Sequence, residues 1–206
     1  MNRIALSAAL GLTWLMCLGG VPAAQAAERA IDKEVVLKAS LDQAWKVWTT
    51  REGITSFFAP DAVIEPRVGG AFHIHMDPAA PAGAKGADDM RFMALQPQKM
   101  LSFDWNAPPS LPEARAQRSF VVVRFFPLTE TTTRVTLHHT GWGDGGEWDK
   151  AYAYFDKAWA GVLGNLQKRF DTGPYDWSGW LKQLEAYRAQ AAAKAASAAA
   201  ASQAAR

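Results

Sequence analysis

The spacing of apolar positions changes character along the chain, and each change predicts an element. Phe72-His73-Ile74-His75-Met76 alternates apolar and polar residues, the period of a strand with one buried face. Similar runs occupy 62–65, 71–76, 90–95, 100–105, 120–126 and 132–139, and 34–39 alternates more weakly as a first strand. Leu101, Phe103 and Trp105 then share one face; so do Val121, Val123 and Phe125, and likewise Val135, Leu137 and His139. Pro66-Arg67-Val68-Gly69-Gly70 and Gln96-Pro97-Gln98 carry the residues of tight connections, and two Ala/Gly/Pro-rich stretches, 77–89 and 106–117, read as surface loops.

Helical spacing brackets this set of strands. Ser40 is placed to cap a helix over 41–50, where Ala44, Trp45 and Trp48 recur on one face. A second short helix over 51–58 ends at Phe57-Phe58 before Pro60. The strongest periodicity comes last: Trp148, Tyr152, Phe155, Trp159, Val162, Leu163, Leu166 and Phe170 form one stripe, with Asp149, Lys150, Asp156, Lys157, Lys168 and Arg169 opposite. Asp144 and Glu147 stand at capping-box spacing ahead of it, and Gly173-Pro174 ends it. A stripe this long requires an apolar partner, and the inner face of the sheet is the one available. Trp177, Trp180, Leu181 and Leu184 predict a further turn or two against the domain. Beyond Tyr187 the chain is mostly alanine, which favours helix but buries little, so a frayed helix or a disordered tail is expected.

The first residues have a different logic. Arg3 precedes the apolar run 4–18, Gly19-Gly20-Val21-Pro22 breaks it, and Ala24-Gln25-Ala26 places small residues where a signal peptidase reads them. The run is short for a membrane span. The expectation is a signal peptide over 1–26, a globular domain over 27–172 and an extension over 173–206, in a protein exported to the periplasm or secreted. The only cysteine, Cys17, falls in the segment expected to be removed, so the mature chain has no thiol or disulfide chemistry.

Composition narrows the function classes. A hydrophobic fraction of 49% with 20% charged residues is that of a folded protein. Net charge is +2 over the whole chain, and removal of Arg3 leaves 2 − 1 = +1. That argues against nucleic acid as a partner. Nine Trp and ten Phe among 206 residues serve either to fill a core or to line a pocket, and composition does not separate the two.

Four segments carry a resemblance. Pro66-Arg67-Val68-Gly69-Gly70-Ala71-Phe72 is similar to the "RPGGxF" turn and strand of START-like (SRPBCC) proteins, in the branch named after activators of the heat-shock ATPase. Residues 95–105 resemble that branch's "P-x-x-L-x-F-x-W" hairpin, 133–142 its "T-R-V-T-L-x-H-x-G" strand, and Trp159, Leu163 and Leu166 the "W-x-x-x-L-x-x-L" of its closing helix. The resemblance covers about 32–171 and implies an α+β helix-grip fold: a curved antiparallel β-sheet wrapped around a long C-terminal α-helix, often with a cavity between. These motifs mark a fold and form no catalytic constellation. Members of the branch are usually read as cytosolic, so the expected export argues against a chaperone-ATPase role here.

On that fold, Phe72, Ile74, Phe103, Trp105, Val123, Phe125, Leu137 and His139 from the sheet would face Tyr152, Phe155 and Trp159 from the helix. They are the candidate lining of a pocket for a small hydrophobic or aromatic molecule. His73 and His75 point to one face of a strand, the polar phase, while His139 takes the buried phase; no metal site, cofactor or catalytic residue is assigned. A cyclase- or hydrolase-like enzyme using His139 and Tyr152 in the same pocket is the first alternative. The second is an interaction module presenting Phe126, Trp177 and Trp180. No stable membrane insertion is expected once the signal segment is gone.

Overall fold

A computed structural model describes residues 28–204. The expected signal segment and its cleavage site lie outside the described residues. Strand β1 (Ile31–Leu37) leads into helices α1 (Leu41–Thr49) and α2 (Arg51–Thr55). Then come β2 (Asp61–Ile64), β3 (Phe72–His75), the two-residue β4 (Gly86–Ala87), β5 (Phe92–Gln96) and β6 (Met100–Trp105). Helix α3 (Pro112–Arg115), β7 (Ser119–Pro127), β8 (Thr133–Thr140), α4 (Gly146–Asp171) and α5 (Ser178–Ala204) complete the chain. The architecture is α+β, an antiparallel sheet closed by a long helix.

Five strands pair antiparallel in the order β1-β8-β7-β6-β5, and three in the order β2-β3-β4. The turn 66–70 joins the two ladders. Ala71 bridges Arg91, the Phe72 amide donates to Met90 O (2.8 Å), and the Phe92 amide donates to Gly70 O (3.0 Å). The result is one curved surface whose concave face carries the expected alternation: Leu101, Phe103 and Trp105 on β6, Val121, Val123 and Phe125 on β7, and Val135, Leu137 and His139 on β8 are all buried. Phe155, Trp159, Leu163 and Leu166 of α4 meet that face. Trp48, Phe57 and Phe58 from the α1–α2 segment plug the end of the groove, with Phe58 against both Trp105 and Trp159. Phe72 and Phe103 stack with ring centroids 4.0 Å apart.

The caps explain where helices begin. Ser40 Oγ accepts from the Gln43 amide while Gln43 Oε1 accepts from the Ser40 amide, so α1 starts with both halves of a capping box. The box expected at Asp144 and Glu147 is absent: α4 follows Gly145, at φ 69°, with no side-chain cap. Glu147 serves another helix instead. Its Oε2 accepts from the amides of Glu113 (2.8 Å) and Ala114 (3.0 Å), satisfying the open N–H groups at the start of α3.

Other departures share one cause, which is tertiary pairing unseen by local pattern. The loop 77–89 contains β4, which pairs with Ile74 and His75 of β3. Gly86 sits there at φ 144°, where an added Cβ would lie 2.6 Å from Ile74 O. His75, expected on the solvent side, is only 8% exposed and holds Asp61 Oδ2 at 2.8 Å through Nδ1. The alanine-rich tail is neither frayed nor limited to a turn or two. Helix α5 runs unbroken to Ala204, since alanine propagates a helix once its first turns are anchored.

Candidate functional site

Between α4, the β3–β4 segment, the loop 106–109 and the first turns of α5 lies a cavity of about 250 Å³. Ile74 and Ala87 come from the sheet, Trp105 from the end of β6, Phe58 from the plug, and Phe155 and Trp159 from α4. Residues with charged or amide groups gather at its rim: Asp77, Lys85, Asn106 and Arg115.

Arg115 organises that rim. Its guanidinium donates to the carbonyls of Ala107 (2.5 Å), Gly83 (2.7 Å) and Gly86 (2.7 Å), and turning the Asn106 amide over, the orientation that satisfies both its ends, sets the Asn106 oxygen 3.1 Å from Nη1. One planar, multi-donor side chain thereby ties the loop 77–89, at Gly83 and Gly86, to the loop that follows β6 at Ala107. Lys85, Asn106 and Arg115 also line a separate polar cleft with His75, Asp88, Asp89 and Arg118. Beside it, burial alone would raise the Asp61 carboxyl, but hydrogen bonds from His75 and Arg51 outweigh that and hold it below the ordinary carboxylate value. Burial, then the neighbouring His75 and Arg91, lowers His73. Among the described residues no group of three or more His, Cys, Asp or Glu is arranged to hold a metal ion.

His139 is a buried imidazole whose titration is strongly perturbed. It is 0% exposed, its Nδ1 accepts from Trp159 Nε1 at 2.9 Å, and its Nε2 lies 2.7 Å from Ser119 Oγ. The indole can only donate, so Nδ1 is the unprotonated nitrogen and Nε2 carries the hydrogen toward Ser119. Ser119 Oγ in turn reaches Trp105 O at 3.4 Å. Burial first, and the adjacent His138 second, push the imidazole down to about 3. Both ring nitrogens are engaged within the core, which leaves neither free for acid–base work. What the network does is hold Trp159 and the end of β6, two walls of the cavity, in fixed relation.

Of the eleven sequence-predicted pocket residues, the structure brings Ile74, Trp105, Phe155 and Trp159 together on the cavity. Phe72, Phe103, Val123, Phe125, Leu137 and His139 lie in the packed interior beneath it and do not line it. Tyr152 is further away, its hydroxyl donating to Ala30 O (2.9 Å) and its ring edge against Trp142. The cavity thus sits at one end of the sheet–helix interface rather than along it. Residues absent from the sequence reading of the pocket complete the wall: Phe58, Tyr154, Ala158 and Val162, the two Pro/Ala-rich loops, and Trp180 and Leu184 of α5. The i, i+4 pair Trp180 and Leu184 was the visible signal for the last of these.

Beyond residue 171, Trp177 Nε1 donates to Thr55 O (2.7 Å) and Trp180 Nε1 to Met76 O (2.7 Å), and Arg188 pairs with Asp77. These contacts dock α5 across the cavity's edge. No helix among the described residues is long and apolar enough to cross a membrane.

Comparison with known proteins agrees with this geometry. A crystal structure of a protein from Mesorhizobium loti is 23% identical, with a TM-score of 0.58 over 71% of this chain and 100% of its own. The solution structure of the Aha1 dimer from Colwellia psychrerythraea is 18% identical, with a TM-score of 0.54 over 70% of this chain and 98% of its own. DynU16, from the dynemicin biosynthetic locus, is 18% identical, with a TM-score of 0.53 over 70% of this chain and 48% of its own. At these identities the likeness shows the fold alone. No curated protein matches the chain. The family model described as "Activator of Hsp90 ATPase homolog 1-like protein" matches residues 38–171, which hold every strand but β1 together with the plug and the closing helix, and the chain belongs to that family.

Proposed function

We propose that this protein is exported and that its domain binds a small apolar or aromatic molecule in the cavity between the sheet, α4 and α5. One observation carries the reading: a space of about 250 Å³ bordered by the apolar side chains Phe58, Ile74, Trp105, Phe155 and Trp159. A dry apolar cavity of roughly 150 Å³ takes up benzene, so this one has the volume for about two fused rings. Export rests on the three-part N-terminal sequence. The reading involves no cofactor, metal, nucleic acid or membrane insertion, and no observation favours the enzyme alternative, since His139 is spent on core hydrogen bonds.

Native mass spectrometry of protein recovered from its own compartment tests both halves. The expected spectrum shows a chain lacking residues 1–26 with a reproducible small-molecule adduct, and stripped protein whose tryptophan fluorescence responds saturably to 2-naphthol. An intact Met1 terminus would overturn export. Failure of one- and two-ring aromatics to bind the stripped protein would overturn the pocket.

A further inference from the structure

The family match ends at residue 171, and the solved structures above cover about 70% of this chain, yet the cavity does not end there. Trp180 and Leu184, on one face of α5, form part of its wall. The anchors of α5 converge on the same place. Trp180 donates to Met76 O and Arg188 pairs with Asp77, and both Met76 and Asp77 line the cavity. Two further contacts, Tyr175 N to Ser56 O (2.8 Å) and Trp177 Nε1 to Thr55 O (2.7 Å), hold the approach to α5 against the α2 end of the plug. Past Arg188 no side-chain hydrogen bond or ion pair among the described residues ties the helix to the domain. A tail that only prolonged α4 would have no reason to concentrate its polar contacts on the cavity rim.

We infer that the C-terminal extension is a working part of the binding site, with Trp180 as the residue that sets the size of ligand admitted. The inference rests on the reading of the cavity as a ligand site. Its physical content is a linkage: a ligand that touches Trp180 and Leu184 binds the docked arrangement of α5 more tightly than the undocked one, so occupancy and docking favour each other to the same extent. Trp180 is half-exposed, one side turned to the cavity and the other to solvent. Its removal opens the wall without emptying the core.

The test uses the full mature chain with 2-naphthol and the three-ring 9-phenanthrol as probes, followed by fluorescence titration. Trp180→Ala should weaken 2-naphthol about tenfold, the scale of one lost apolar contact surface, and shift the ratio of the two affinities toward the larger probe. Arg188→Ala leaves the wall residues in place and should weaken 2-naphthol a few-fold with the size ratio unchanged. Trypsin supplies an internal comparison on the same helix: saturating 2-naphthol should slow cleavage after Lys182 and Arg188, where α5 is docked, and leave cleavage after Lys194 unaltered. If both probes bind but Trp180→Ala keeps the size ratio and cleavage after Lys182 is unprotected, α5 is a passive tail and the inference falls while the pocket stands. If neither probe binds the unaltered protein, the pocket reading fails and takes this inference with it.

Discussion

Acid should destabilise this protein mainly through one buried residue before its carboxylates matter, with the lowered His73 acting in the same direction. His139 is fully buried and neutral, with Trp159 donating to Nδ1 and Nε2–H directed at Ser119. Protonation would place a second N–H against the indole N–H and a charge in an apolar core, which is why its folded value lies at about 3. The unfolded chain has no such constraint and takes up a proton near pH 6.5. The folded value is depressed, so the stabilising contribution is complete above about pH 7 and is lost as pH falls from 6.5 toward 3. Each pH unit in that window removes about 1.4 kcal/mol, so pH 4.5 should cost on the order of 2–3 kcal/mol relative to neutral solution. The measurement is urea unfolding at pH 7.5, 6.5, 5.5 and 4.5, for the unaltered protein and for His139→Gln. The variant starts from a lower stability, because the Trp159 and Ser119 partners are perturbed, but it has no titrating group at this position. Its midpoint should therefore fall less steeply over the same window. Parallel curves for the two proteins would refute the assignment of a neutral buried imidazole, whatever their absolute stabilities.

Two further perturbations follow from the packing. Glu147→Ala removes the acceptor for two amides at the start of α3 and should cost about 1 kcal/mol, the scale of a lost helix cap; hydrogen exchange at Glu113 and Ala114 should accelerate while α4 keeps its protection. Phe103→Ala opens a hole beneath the cavity beside the stacked Phe72 and should cost about 3–5 kcal/mol by urea unfolding; a loss below 1 kcal/mol would mean that the sheet–helix interface is not packed as described.

The fold was legible because the core face of each strand is written at strict period two and the stripe of α4 at helical spacing. Val121, Val123 and Phe125 could be assigned to one face without knowing any neighbour, and so could Phe155, Trp159, Leu163 and Leu166. The site was legible only in part, because a face does not say how far along it the space lies. Phe72, Val123 and Leu137 share the face of Ile74 and Trp105, yet they lie in the packed interior while Ile74 and Trp105 border the cavity. Local pattern also misled at Glu147, three residues after Asp144. The side chain sits at capping-box spacing for its own helix but turns to α3, thirty-four residues earlier in the chain. His75 shows the same limit: alternation put it on the polar side, and pairing with β4 and Asp61 covered that side. Trp177, Trp180, Leu181 and Leu184 pointed to a turn or two against the domain, but the alanine-rich segment beyond Tyr187 carries no apolar stripe, so nothing in its periodicity pointed to a helix continuing to Ala204. The anchors are two indole N–H groups and one guanidinium reaching backbone and carboxylate oxygens more than a hundred residues away.

The pairing of β1 with β8 has a consequence for how the chain becomes this structure. Ile31 faces His139, so the first strand's partner lies 139 − 31 = 108 residues downstream. At a synthesis rate of about 5–20 residues per second, β1 spends roughly 5–20 s without the strand it needs. During that interval Leu37, wholly buried in the finished domain, has no core to enter. Contacts of such long sequence separation also slow folding once the chain is complete, since the loop must close before the ladder rewards it. Any segment ahead of Ile31 is therefore displayed on a chain whose sheet cannot yet close, and the export proposed above would have that time in which to begin.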